Sequence, residues 1–143
     1  MRKTMNRPSS EQQKGSRMGE SKYQSHREIR VYRVSFELAL EVFKLSEVWP
    51  NRERFGLIDQ IRRSSRSVCS NIAEAWRKRS YRKHFMSKLS DAQYECAETE
   101  TWIEIAHSCG YICLEESERL MDQTDHIAAM LTKMIRSPEK WCK

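Results

Sequence analysis

No stretch of this 143-residue chain approaches the roughly 18 uncharged apolar residues of a membrane span, and its first 28 residues lack the apolar run of a secretory leader. A soluble, cytoplasmic protein is expected. Cysteine occurs five times, at Cys69, Cys96, Cys109, Cys113 and Cys142, but never as a CxxC pair. An odd count in a chain of this size does not read as a disulfide framework, so reduced thiols are expected. The four glycines build no phosphate-cradling loop, and neither a nucleophile elbow nor paired catalytic carboxylates can be argued from spacing. Bundle di-metal sites use two Glu-x-x-His motifs, and only Glu104-Ile105-Ala106-His107 fits, because Gln123 stands three residues before His126. A zinc site from His107, Cys109 and Cys113 has irregular spacing and would need an imported fourth ligand. The expectation is a protein without catalytic residues, metal or cofactor.

What is present is charge, unevenly spread. The net charge is +6, yet residues 50–85 hold ten basic and three acidic groups, whereas residues 88–143 hold six basic and eleven acidic ones. Such a split suits an anionic partner or faces that complement one another. Residues 1–28 carry seven basic and three acidic groups among serines and glycines, with almost no large apolar side chain to offset the entropy of ordering. They read as a flexible basic tail in front of one domain, residues 29–143, large enough to bury a core without staples.

Four helical patterns follow. In the first, at about residues 31–48, Val34, Leu38, Val42 and Leu45 share a stripe with Phe36, Leu40 and Phe43 beside it, and Trp49-Pro50-Asn51 ends it. A second covers about 55–77. With Ile61 as zero and 100° per residue, Leu57, Ile58, Ser65, Val68, Ile72, Ala75 and Trp76 fall within roughly 60° of it. In the third, Ser80 is the expected N-cap, Phe85, Leu89, Ala92, Cys96, Thr99, Ile103 and Ala106 recur at alternating fours and threes, and Gly110 suits the C′ stop. The fourth, at about 114–136, carries Leu120, Thr124, Ile127, Leu131 and Met134, with Glu115, Glu116 and Glu118 at its positive end and Pro138 beyond. Short connections and no strand-like alternation imply an all-α, antiparallel up-down-up-down four-helix bundle. The apolar width given by Phe36, Phe43, Leu57, Ile58, Trp76 and Trp102 points to a homo-oligomer.

On the second helix, Arg62, Arg63, Arg66 and Arg77 lie about 100° to 200° from the core centre. Lys78, Arg79, Arg82 and Lys83 follow directly, with Tyr81 as a stacking platform among them. Nucleic-acid affinity grows with the number of phosphates met, and these residues supply that number. The alternatives are a solvated face, or one half of a subunit or partner contact whose other half is Asp91, Glu95 and Glu98 on the third helix. Asp59 is placed to tie up Arg62 or Arg63 within the helix. Ser64, Ser65, Ser67 and Ser70 suit either close helix packing or phosphate donation.

The run Tyr32-Arg33-Val34-Ser35-Phe36-Glu37-Leu38-Ala39, then Gln60-Ile61-Arg62-Arg63-Ser64, Ser70-Asn71-Ile72-Ala73-Glu74, Gly110-Tyr111 and Pro138-Glu139-Lys140-Trp141 resembles the bacterial four-helix bundle proteins related to those encoded in 23S rRNA intervening sequences. The resemblance covers about residues 31–143. It implies an antiparallel bundle, a ring-like homopentamer and no known catalytic activity. It also implies a link to structured RNA, because distant relatives are accessory variability proteins that serve the reverse transcriptases of diversity-generating retroelements. Cys113 departs from the Ser or Thr helix cap common in such sequences.

Overall fold

In the computed structural model, which describes residues 22–143, the alternating apolar spacings become four long helices and no strand. They are α1 (Arg30–Ser46), α2 (Leu57–Arg77), α3 (Arg82–Ser108) and α4 (Leu114–Arg136), with short 3-10 turns at His26–Glu28, Asn51–Glu53 and Pro138–Lys140. Each helix packs on two neighbours in the cycle α1, α2, α3, α4, and neither diagonal pair brings its backbones close together, as in a four-helix bundle.

The α3 stripe is buried in full, from Phe85 through Leu89, Ala92, Cys96, Thr99 and Ile103 to Ala106. It faces Ile61, Val68 and Ile72 of α2 and Leu120, Ile127 and Leu131 of α4 in one continuous core. Small residues let α2 and α3 approach closely. Ser64 is buried there, and Thr99 Oγ1 lies 2.9 Å from Ser64 Oγ while donating to the Glu95 carbonyl at 2.8 Å; Ser65 is buried as well, its hydroxyl donating to the Arg62 carbonyl at 3.2 Å.

The first helix is phased differently from the expected stripe. Its buried residues are Val31, Ser35, Leu38, Val42 and Ser46, while Val34 and Leu45 are half-buried. The serines tolerate burial because each hydroxyl finds a backbone carbonyl, Ser35 donating to Val31 at 2.7 Å and Ser46 to Phe43 at 3.0 Å. Phe36, Leu40 and Phe43 are consequently left on the outside. Leu57, Ile58 and Trp76, expected to widen the apolar surface, are instead spent on the monomer's own core.

The helix ends follow local chemistry. Gly110 has φ 77°, and the Gly110 and Tyr111 N–H groups donate to the carbonyls of His107 and Ala106, both at 2.9 Å, closing α3 in a Schellman motif. Cys113 caps α4 despite being a thiol: its Sγ accepts from the Glu116 N–H at 3.4 Å, and the Glu116 carboxylate accepts from the Cys113 N–H at 3.0 Å. That second bond holds the Glu116 carboxyl below its usual range. Ser80 does not cap α3; the N-cap position is Tyr81, with no side-chain hydrogen bond. The expected tail needs the same kind of correction at its end. Tyr23 stacks on Trp141, with ring centroids 5.9 Å apart, and the His26–Glu28 turn packs against α1 and α2, so residues 22–28 are part of the folded unit. Residues 1–21 of that tail lie outside the described residues.

Candidate nucleic-acid interface

The cations expected to share one surface divide into two groups. Arg62, Arg63 and Arg66 border a groove of about 600 Å³ together with Arg54, Phe55, Ile58, Asp59, Ser67 and Ser70. Asp59 is its sole carboxylate, and no ion pair among the described residues joins Asp59 to Arg62 or Arg63. The groove therefore keeps a strong positive excess.

Arg62 is held in place by the end of α1. Its Nε donates to Ser46 Oγ at 2.8 Å, Nη2 reaches the Phe43 carbonyl at 3.4 Å, and the guanidinium lies 4.6 Å from the Phe43 ring centroid. A cation at a helix C-terminus meets the negative end of the dipole, so part of this arginine's role is to cap α1. Its remaining N–H donors stay available. Arg66 lies 6.0 Å from the same ring and is otherwise exposed. Arg63 is exposed as well and sits beside Glu95 of α3, whose carboxyl is pushed up by burial and by neighbouring Glu98 and pulled back by Arg63. The acidic set Asp91, Glu95 and Glu98 thus lies next to the basic helix within one chain.

Two residues of this groove escaped the sequence reading. Phe55 lies outside α2, is 86% exposed and carries the Arg54 guanidinium 5.3 Å from its ring centroid. The Arg54-Phe55-Gly56 triplet was the available signal, a cation and an aromatic residue just before a helix start. Such an exposed ring beside cations has the chemistry that base stacking would use.

The second group surrounds the junction of α2 and α3. Tyr81 is 67% exposed and stacks at a tilt on His84, at 5.8 Å, while Arg77, Arg82 and Lys83 are exposed and Lys78 is half-buried. Arg82 and Lys83 occupy the first turn of α3, where cations oppose the helix dipole and no acidic residue balances them. Their charge adds to the field of that helix end. Arg79 is a correction to the expected surface: it is only 7% exposed, its guanidinium carbon lies 3.4 Å from the Trp76 ring centroid, and Nε donates to the Trp76 carbonyl at 3.0 Å. Its aliphatic stem and planar head have found an aromatic face rather than solvent.

Ser67 and Ser70 border the groove, whereas Ser64 and Ser65 are committed to helix packing. On the other side of Arg66, Tyr32, Phe36, Leu40 and Phe43 form an apolar trough of about 490 Å³ over Cys69 and Ala73. Among the described residues, no group of three or more His, Cys, Asp or Glu side chains converges as a metal site would require, and no helix is long and apolar enough to cross a membrane.

A crystal structure of a protein of unknown function from the S23 ribosomal protein family of Bacteroides thetaiotaomicron superposes with a TM-score of 0.68 at 32% sequence identity, covering 74% of this chain and 95% of that one. No curated protein matches this chain. The family model of the 23S rRNA-intervening sequence protein matches residues 27–133, taking in α1, α2, α3, most of α4 and both basic groups, and the chain belongs to that family.

Proposed function

We propose that this protein is a non-catalytic, self-assembling binding module whose α2 groove contacts RNA or DNA, structured RNA above all, in the cytoplasm. The observation that carries the reading is the groove itself: four arginines, Arg54, Arg62, Arg63 and Arg66, around one carboxylate with Phe55 exposed at the rim. Arg62 is already held against Phe43 and Ser46, so less side-chain entropy is lost when a phosphate arrives. The name of the family supports a ribosomal RNA context. Arg77, Lys78, Arg82, Lys83 and Tyr81 extend the contact along the bundle, since Arg66 and Arg77 are eleven residues apart, about 16 Å along the helix and on nearly the same face.

The helices run up-down-up-down in this reading, and several copies close into a ring, of five subunits by analogy with the family. Phe36, Leu40 and Phe43 support self-assembly, because three adjacent, partly exposed large apolar side chains form a contiguous patch of the kind that marks interaction sites. A reverse transcriptase or another nucleoprotein enzyme is the alternative occupant of that trough.

The test is binding to two unrelated RNA sequences across a salt series. Affinity should fall linearly on a double-logarithmic plot, and Arg63→Gln with Arg66→Gln should weaken both sequences alike and flatten the slope by up to about two units. Light scattering on the same samples should exceed the 17.1 kDa monomer several-fold. Unchanged RNA binding in the double variant would exclude the groove; loss of the oligomer with intact RNA binding would make this face a subunit contact instead.

A further inference from the structure

Arg79 is buried, yet nothing among the described residues neutralises it. Its Nε uses the Trp76 carbonyl, but Nη1 has no hydrogen-bond partner, and no carboxylate forms an ion pair with it. Burial itself lowers the guanidinium's hold on its proton. A buried, half-satisfied cation is costly unless something supplies the missing charge and acceptors.

The surroundings are built to admit such a group. Arg79 borders a polar cavity of about 480 Å³ where the segment before α1 crosses the end of α2. Arg27, Arg77 and Lys143 also line it, Ser25 and Ser80 contribute hydroxyls, and no aspartate or glutamate is among its lining residues. The Lys143 N–H donates to the Arg79 carbonyl at 3.3 Å, which places the Lys143 backbone at the cavity wall. The imidazole of His26, another lining residue, is kept below its ordinary pKa range by burial and then by the charges of Arg27 and Arg77, as expected in a positive, partly dehydrated enclosure. The carbonyls that end α2 do not explain the set, because only Nε of Arg79 is satisfied by one of them.

We propose that this cavity is a phosphate-binding site, with Arg79 held by Trp76 as its fixed donor, Arg27 and Arg77 as the charged rim, and Ser25 and Ser80 as further donors. Charge-assisted N–H bonds from arginines to a tetrahedral oxyanion are the strong pairing for this donor set. The volume exceeds that of a phosphate alone and leaves space for an attached sugar or nucleoside. The site shares Arg77 and its phosphate chemistry with the proposed nucleic-acid surface, but it is a separate cavity from the α2 groove and does not include Arg63 or Arg66, so variants at those two arginines distinguish the readings.

The test titrates the full chain at constant ionic strength in chloride, following the Arg79 Nε–H resonance and the heat of binding. Four probes are used: inorganic phosphate, a nucleoside 5′-monophosphate, and one short RNA with and without a 5′-phosphate. Saturable binding of one phosphate or monophosphate per chain is expected, with a shift at Arg79 and at least a tenfold loss in Arg79→Gln. Should Arg79→Gln fail to fold, Arg27→Gln with Arg77→Gln decides, since both side chains are exposed and the double change should cost several-fold in affinity without altering the melting curve. Preference for the 5′-phosphorylated RNA identifies a strand end as the source; equal binding of the two RNAs, still lost in the variants, identifies a backbone phosphate. Binding of the free phosphate and monophosphate alone identifies a small phosphorylated ligand. Absence of saturable binding by every probe, or binding unaffected by the rim variants, overturns the proposal. Arg63→Gln with Arg66→Gln should leave the phosphate titration unchanged.

Discussion

Replacing Leu89 by Ala probes the whole architecture, because this side chain is fully buried on α3, the helix that packs against both α2 and α4. Three carbons are removed. At about 0.8 kcal/mol per buried methylene the transfer part is about 2.5 kcal/mol. The space left behind adds to this, since Leu89 belongs to one continuous core in which Phe85, Ile61, Ile72 and Ile127 are each at most 1% exposed, and a close-packed interior relaxes only in part. The expected loss is about 3–5 kcal/mol. For a folded unit of this size each kcal/mol lowers Tm by about 3–5 °C, so a drop of about 10–20 °C should be seen. Urea unfolding followed by circular dichroism measures it directly, at fixed protein concentration because the proposed self-assembly would make stability concentration-dependent. A cost below about 0.5 kcal/mol with an unchanged urea slope would mean that Leu89 is not in the core and that α3 is phased incorrectly.

Gly110→Ala should destabilise by about 1 kcal/mol through its positive φ alone, since a Cβ there meets nothing within 4 Å; an unchanged Tm would refute the Schellman assignment. Cys113→Ser should stabilise α4 by about 0.5 kcal/mol, because a hydroxyl is a better acceptor than a thiol for the Glu116 N–H, and a lower Tm would contradict the cap. The depressed Glu116 carboxyl contributes stability that is complete above the unfolded pKa of about 4.3 and is lost as pH falls through the lower folded value. Glu116→Gln should therefore narrow the stability difference from the parent chain in acid, which a Tm series from pH 7 to pH 3 reads. Thiol labelling of the native protein should modify exposed Cys109 and Cys113 first and spare Cys69 and Cys96, where burial pushes the pKa up to about 11 and about 12 respectively. Early labelling of Cys96 would argue for an open core.

The apolar periods of α3 and α4 and the Gly110 stop were readable from the chain alone, whereas the expected Ser80 cap was not found. The α4 stripe from Leu120 to Met134 is buried as its spacing requires, and the α3 stripe holds at all seven positions. Both helices have a single buried row that local geometry fixes. The α1 phase was misread because that helix is apolar over much of its circumference, so the sequence offers two stripes of similar strength. Tertiary contact with α2 and α4 selected the one containing Ser35 and Ser46. Those serines carry no hydrophobic signal, and their burial depends on carbonyls one turn back.

Among the candidate cations, sequence spacing placed Arg63, Arg66 and Arg77 on the exposed side of α2, where the structure finds them, because position around a helix follows from residue number. Past the last helical turn that rule fails. Arg79 turns back over Trp76, and only the meeting of the α2 end, residues 24–27 and Lys143 decides that its charge lies against a half-open cavity, largely out of solvent. Arg54 and Phe55 join the α2 groove for the same reason: the chain enters α2 through a turn whose direction depends on what packs around it. Period, caps and charge are local properties and were set by the sequence itself. Which cations share a cavity, and which of them lose water, depends on distances between segments far apart in the chain, and the packed tertiary structure alone fixes those.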